Sequence, residues 1–472
     1  MNFLDYFMEI SKIPRGSGNM EGISEYCEKF ARSRNLSVIR DDYNNVIIYK
    51  DATEGYENHE PVILQAHMDM VCEKNMDSVH DFIKDPIEII EKDGCIYGNN
   101  TTLGGDDGIG VAYILAVLGD NTLCHPHITA VFTTDEETGM DGARNLNMDL
   151  LKGRYIINID NDIEDTIFTG SAGGRTLECT IPIKYYLDNG LTVVINIYGL
   201  LGGHSGSEIN KERGNANILM GRVLKELKKY LKYSLVFIKG GNKDNAIPRD
   251  ASCEILLDEK DYDRLKGAIE EINKKIKKEF MYSDRDVCVS ISGCSVKSQR
   301  IMYEEDKDNI IDFLFMVPNG VFSTTDKPEF MVETSSNLGV LFTDDVAVNM
   351  SVSVRSMLNE RKELLTEKIE TVLERCSGFL RVKNEYPEWE YKNNSFLQNI
   401  FKETYKKLTG NNLKTTAIHA GLECGYFSRF NNDYDIVSFG PDMYDIHTAN
   451  EHVNIESAKN AYNLLINVLK EI

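Results

Sequence analysis

The chain has 472 residues and a formal charge of −23, with 75 acidic against 52 basic side chains. That length exceeds one ordinary core and predicts two domains. The acidic excess argues against nucleic acid as a partner, because a phosphate backbone is bound by clustered Lys and Arg, and against an anionic membrane surface; a locally basic pocket for a small carboxylate stays compatible with it.

The first residues, MNFLDYFMEISKIPR, lack a basic stretch followed by a long apolar run, and no later segment has the uninterrupted apolar length of a membrane span. The expectation is a soluble, cytoplasmic protein. Its 10 cysteines are scattered singly, without a CxxC pair, and read as reduced thiols that mostly fill the core.

In chain order, the pattern predicts a helix over Phe3 to Ile10, a turn at Pro14 to Gly18 and a helix from Met20 to Arg34. The runs Asn45 to Tyr49 and Pro61 to Ala66 are short, apolar and β-branched, as in strands buried on both faces. Gly108 to Leu118 reads as a helix, and His127 to Thr134 and Tyr155 to Ile159 as strands, so the opening third is α/β. After about Gly173 long alternating stretches (Leu177 to Ile183, Thr192 to Tyr198, Ala251 to Leu257, Val287 to Ile291, Val346 to Val354) interleave with amphipathic helices at Asn215 to Leu231 and Asp261 to Lys278. From Ser395 the α/β pattern returns and ends in a helix, Ser457 to Glu471. The expected architecture is therefore an α/β domain formed by residues 1–175 and 389–472, interrupted by an inserted α+β domain over 176–388.

Residues with chemistry gather at the strand ends of the interrupted domain. In Gln65-Ala66-His67-Met68-Asp69, residues two apart on a strand share a face, so His67 and Asp69 stand side by side. A metal-bound imidazole commonly donates its other N–H to a carboxylate, and Asp69 suits that part; HxD alone is also common at ordinary strand ends. The turn Leu103-Gly104-Gly105-Asp106-Asp107-Gly108 feeds an apolar helix, so either aspartate could simply cap it. Nucleotide binding does not fit: there is neither GxGxxG nor GK[ST], and two aspartates would repel phosphate. Thr134-Asp135-Glu136-Glu137 sets three carboxylates at the end of a buried strand, with no Lys or Arg before Arg144. A cation would offset that charge, though a solvated acidic loop reads the same way. Asp160 and His447 are weak signals alone. Taken together, His67, Asp106, Glu137, Asp160 and His447 make two imidazoles and three carboxylates at strand or turn ends, a set suited to two metal ions sharing one carboxylate.

The runs QAHMDMV, LGGDDGIG, TTDEETGM, NIDND, GLLGGHSG, NAIPR, AIHAGLECG and IHTANEHV occur in the order of, and resemble, the motifs of the M20 metallopeptidase family, specifically its aminoacyl-histidine dipeptidase branch. The resemblance runs over nearly the whole chain. It implies a mixed-sheet zinc-peptidase catalytic domain with an inserted lid, and a homodimer formed through that lid. It makes Asp106 the bridging carboxylate, with His67 and Asp160 on one ion, Glu137 and His447 on the other, Glu136 as general base and Asp69 behind His67. Two adjacent glutamates cannot both point the same way, which agrees with that division. The same resemblance implies a cis peptide at Asp106-Asp107, an oxyanion donor in His204 and a substrate-carboxylate clamp in Arg355, assisted by Asn245. By charge complementarity Glu423 is expected to meet the substrate's free amine, with His419 lining the same pocket. The activity implied is hydrolysis of dipeptides, Xaa-His dipeptides such as β-alanyl-histidine foremost, with two divalent ions: Zn2+ first, Co2+ or Mn2+ as alternatives. The rival readings are an N-acyl amino acid deacylase and a non-catalytic metal-binding relative.

Overall fold

The structure, a computed structural model, describes all 472 residues. An eight-stranded mixed sheet has the order Ser37–Arg40, Val46–Lys50, Ile128–Thr133, Val62–His67, Tyr155–Asn158, Asp435–Ser438, Thr166–Ser171, Lys414–Ile418. Its three middle pairings, among Ile128–Thr133, Val62–His67, Tyr155–Asn158 and Asp435–Ser438, are parallel. Every residue of Val62–His67 and Ile128–Thr133 is buried, because helices cover both faces. Alternation divides each strand between two cores. Val62, Leu64 and Ala66 join the larger core with the helices Phe3–Ile10, Gly105–Gly119 and Ile455–Glu471, while Ile63, Val131 and Ile436 pack on the other side with Trp389, Leu422 and Phe427.

The second sheet is built only of antiparallel pairs, in the order Cys288–Met302, Tyr185–Tyr198, Ala251–Leu257, Ser234–Asn242, Met331–Thr343, Ala347–Ser356, Gly173–Pro182, Phe379–Tyr386, with Gly320–Thr325 also pairing to Met331–Thr343. The helices Ala216–Leu227, Tyr262–Glu279, Glu304–Met316 and Asn359–Arg375 cover one face. Along Ala347–Ser356, Val348, Met350, Val352 and Val354 enter that core, so Asn349, Ser351, Ser353 and Arg355 face the helix-free side. The chain passes between the sheets at Ser171 to Gly173 and again after Tyr386, where Ser171 and Trp389 pair and Lys362 Nζ meets Glu388 Oε2 at 2.6 Å.

Several expectations need adjustment. The helix expected to reach Leu231 stops at Leu227, and Tyr233 Oη takes the carbonyl of Leu224 near its end. The strand expected over Val287 to Ile291 runs on to Met302, sustained by pairing with Tyr185–Tyr198 although its further half is mostly exposed. All ten cysteines are free, but only Cys27, Cys179, Cys253, Cys376 and Cys424 are buried, so core filling accounts for half of them.

The helix Gly105–Gly119, apolar after its first turn, joins the two parts of the interrupted domain. Its buried Tyr113 donates from Oη to the carbonyl of Ala458, in the C-terminal helix, at 2.5 Å. Tyr113→Phe removes this second donor from a carbonyl that is already engaged within its own helix, and is expected to destabilise the protein by about 0.5–1.5 kcal/mol, read as a lower urea midpoint at unchanged m-value.

Candidate active site

His67 ends the central strand and is fully enclosed. Its Nε2 lies 3.1 Å from Asp106 Oδ1 and 3.7 Å from Asp160 Oδ1, and its Nδ1 is 3.4 Å from Asp69 Oδ1. Asp69 does more than flank the imidazole. Its Oδ1 accepts the backbone N–H of Glu136 at 3.0 Å, and its Oδ2 accepts that of Glu137 at 3.2 Å and the Ser17 hydroxyl at 2.8 Å. Burial opposes charge on Asp69, yet the contacts from His67, Ser17 and Glu136 N–H hold its carboxyl below the usual range.

The glycine turn separates its two aspartates. Asp107 Oδ1 accepts from Gly110 N–H and caps the helix, while its Oδ2 accepts from His67 N–H, each at 3.2 Å. Asp106 turns the other way. One of its oxygens faces His67 and the other, Oδ2, lies 3.2 Å from His447 Nε2, so one carboxylate stands between two imidazoles. The Asp106-Asp107 peptide is cis, as the resemblance implies. Two residues that hold this turn were not assigned a role from sequence. Glu451 accepts the backbone N–H groups of Leu103, Gly104, Gly105 and Asp106 at 2.9, 3.0, 2.7 and 3.3 Å. Buried Arg15 donates to the carbonyls of Met68, Asp69 and Gly104.

The acidic triplet also divides. Asp135 adopts φ +54 and accepts the N–H of Gly18 at 2.6 Å, away from the cluster. Glu137 lies 3.0 Å from His447 Nε2. Ligand atoms of His67, Asp106 and Asp160, of His67, Glu136 and Glu137, and of Asp106, Glu137 and His447 each converge within 4.8 Å. Four carboxylates thus face two imidazoles. Burial raises Glu136 well above its ordinary range, Glu137 to about 7 and Asp160 to about 6. Hydrogen bonds to Asp106 and Glu137 push His447 up to about 11, and Asp106 is held low despite burial by His447 and His67. Mixed N and O donors with an unbalanced negative charge fit divalent cations.

The lid brings a second group of residues. His204 lies in a two-residue strand paired with Ala246–Ile247. Its Nδ1 accepts the backbone N–H groups of Gly206 and Ser207, both at 3.2 Å, so its proton sits on Nε2. Burial and then Arg355 lower its pKa, which keeps the imidazole neutral. Arg355 is buried without a carboxylate partner and donates through Nη1 to Tyr386 Oη at 2.6 Å. His419 is buried against Ser335 Oγ, 2.7 Å from Nε2, and burial followed by Arg355 and His204 takes its pKa down to about 3. Asn245 is exposed, and its carbonyl accepts the N–H of Ser205, next to His204.

Glu423 corrects an expectation. It is 0 % exposed, its Oε2 accepts from Gln65 Nε2 at 2.5 Å and from Thr133 Oγ1 at 2.6 Å, and burial raises it to about 8. A carboxyl enclosed by those partners is not presented to a substrate's amine.

A family profile described as Peptidase family M20/M25/M40 matches residues 63–471. The chain is 35% identical over 470 residues to the cytosol non-specific dipeptidase of Escherichia coli K12, covering 99% of this chain and 97% of that protein. It is similar to the crystal structure of aminoacylhistidine dipeptidase from Vibrio alginolyticus, with a TM-score of 0.90 and 34% identity over 100% of this chain and 96% of that one. The aminopeptidase PepT of Bacillus cereus shares the fold, at TM-score 0.58 and 16% identity over 100% and 98% of the two chains. The chain belongs to peptidase family M20/M25/M40 and is a hydrolase acting on peptide bonds.

Proposed function

We propose that the protein is a cytoplasmic, metal-dependent dipeptidase that cleaves Xaa-His dipeptides among its substrates. The observation that carries the reading is the carboxylate of Asp106, met on one oxygen by His67 and on the other by His447, with Glu136 converging on His67 and Glu137. Two divalent cations would be held here, His67 and Asp160 serving one, Glu137 and His447 the other, and Asp106 shared by both; zinc would suit this donor set, as would Mn2+ and Co2+. Positive charge bound there would acidify a water and polarise the scissile carbonyl.

Glu136 is the proton carrier. Its carboxyl is pushed up by burial and its neighbours, which suits a group that takes a proton from the attacking water and returns it to the leaving amine. Asp69 holds the backbone of Glu136 and keeps His67 oriented. Neutral His204 offers Nε2–H to the oxyanion, the one proton its tautomer leaves free. Arg355, with Asn245 assisting, takes the dipeptide's carboxylate, and His419 forms the wall behind it. Residues 1–175 and 389–472 are the catalytic domain and 176–388 the lid, through which two chains pair; the exposed Tyr198, Leu201 and Phe342 on the lid support such a contact.

Glu136→Gln is expected to lower kcat by about 10²–10⁴-fold while metal content by mass spectrometry stays that of the unaltered protein; retained turnover would reject this residue as the base. Arg355→Ala is expected to raise KM for free dipeptides by about 10–100-fold, the loss of a charge-assisted contact, and to leave C-terminally amidated dipeptides nearly unaffected. The decisive measurement of function is a panel of β-alanyl-histidine, other dipeptides and N-acetyl amino acids, run on chelated protein and after return of Zn2+, Mn2+ or Co2+. Cleavage of dipeptides that vanishes with the metal and returns with it is the expected outcome. A protein that splits only N-acetyl amino acids, or no dipeptide under any metal, refutes the reading.

A further inference from the structure

We infer that Glu451 is a positioning residue for the metal cluster: its carboxylate locks the loop that carries His447 onto the turn that carries Asp106. The inference rests on the two-cation reading above and concerns how the chain assembles that site.

His447 and Asp106 are far apart in sequence, and His447 lies on a loop where it is 47% exposed with φ +63. Little on its own side chain fixes it beyond the two carboxylates it faces. Four residues on, Glu451 is 2% exposed and spends both oxygens on the turn: Oε2 on the N–H groups of Leu103 and Gly104, Oε1 on those of Gly105 and Asp106.

This is not an ordinary helix cap. Asp106 and Asp107 have non-helical backbone angles, the regular helix follows them, and its cap is Asp107, through Gly110 N–H. The four N–H groups held by Glu451 precede that helix, and the last of them belongs to Asp106 itself. Arg15 grips the same turn from the other side through the carbonyl of Gly104. The approach is so close that a Cβ on Gly105 would lie 2.6 Å from Val453 Cγ2 and 3.3 Å from Glu451 Oε1, which explains the bare glycine there. A carboxylate suits the task because only two acceptor oxygens serve four donors; an amide would turn N–H groups toward N–H groups.

The test compares unaltered protein with Glu451→Gln, each stripped by chelator and titrated with Zn2+ by calorimetry. Zinc content after gel filtration and melting temperature with and without zinc are measured alongside. The expected result is a zinc affinity at least ~10-fold weaker in the variant, a lower retained zinc content and a smaller zinc-induced rise in melting temperature, with both chelated proteins melting alike. Equal zinc affinity and content overturn the inference. So does a variant that melts lower in chelator while binding zinc as the unaltered protein does, since that marks a scaffold role alone. If Glu451→Gln yields no folded protein, Glu451→Asp, which keeps both oxygens one methylene short, is read by the same criteria. Unaltered protein that binds no zinc, manganese or cobalt refutes the two-cation reading instead.

Discussion

A carboxylate removed from water must recover its lost hydration from hydrogen bonds or from opposite charge, or else take up a proton. This chain encloses many of them in one region, and they divide by what satisfies them. Asp69 takes two backbone N–H groups and a hydroxyl, Asp107 takes two backbone N–H groups, Glu451 takes four, and Glu423 takes an amide and a hydroxyl. Asp69, Asp107 and Glu451 have both oxygens engaged by the protein itself, whereas Glu423 leaves Oε1 without a partner and burial raises it to about 8, the protonated alternative. Asp106 and Glu137 are met by imidazoles, and Asp160 by His67 at 3.7 Å. The second group, with Glu136, is the one whose charge the polypeptide leaves unbalanced, and its side-chain atoms converge closely enough to hold a metal ion.

Sheet order makes that convergence possible. Val62–His67 lies between Ile128–Thr133 and Tyr155–Asn158, parallel to both, with His67 opposite Thr133 and Gln65 opposite Asn158. Three adjacent strands therefore end at the same edge, and the residues just beyond them, His67, Glu136 with Glu137, and Asp160, arrive side by side. The glycine turn adds Asp106 from the next segment, and the loop before the last helix adds His447. Neither comes from a strand of this sheet, so their placement depends on Arg15 and Glu451 rather than on register.

That distinction explains what the sequence revealed. Strand-end His and carboxylate residues announce themselves by type and spacing, and the ordered motifs named the family, the fold class and the convergent cluster. The two aspartates of the turn were indistinguishable by type; only geometry separates the cap, Asp107, from the inward Asp106. Glu451 left no role to read because its partners are backbone N–H groups, which every residue carries. Glu423 misled for the opposite reason: its charge suggested a substrate contact, while Gln65 and Thr133, both distant in sequence, enclose it. The strand Cys288–Met302 was read as a short one because its further half lacks apolar alternation and is kept extended by its partner strand.

The lid completes a division of charge across the site. Alternation along Ala347–Ser356 turns Arg355 away from the helix-covered core, and Tyr386 Oη takes one guanidinium N–H without neutralising it. The two imidazoles in its field stay uncharged, His419 down to about 3 and His204 lowered with its tautomer fixed by two backbone donors. One fixed positive charge flanked by neutral donors thus confronts a buried cluster of carboxylates. On the reading proposed above, a zwitterionic dipeptide has its carboxylate drawn to the lid and its amine end left toward the acidic catalytic domain. Orientation then follows from where the chain buried Arg355 without a carboxylate partner, and an acyl amino acid, lacking the amine, forgoes half of that selection.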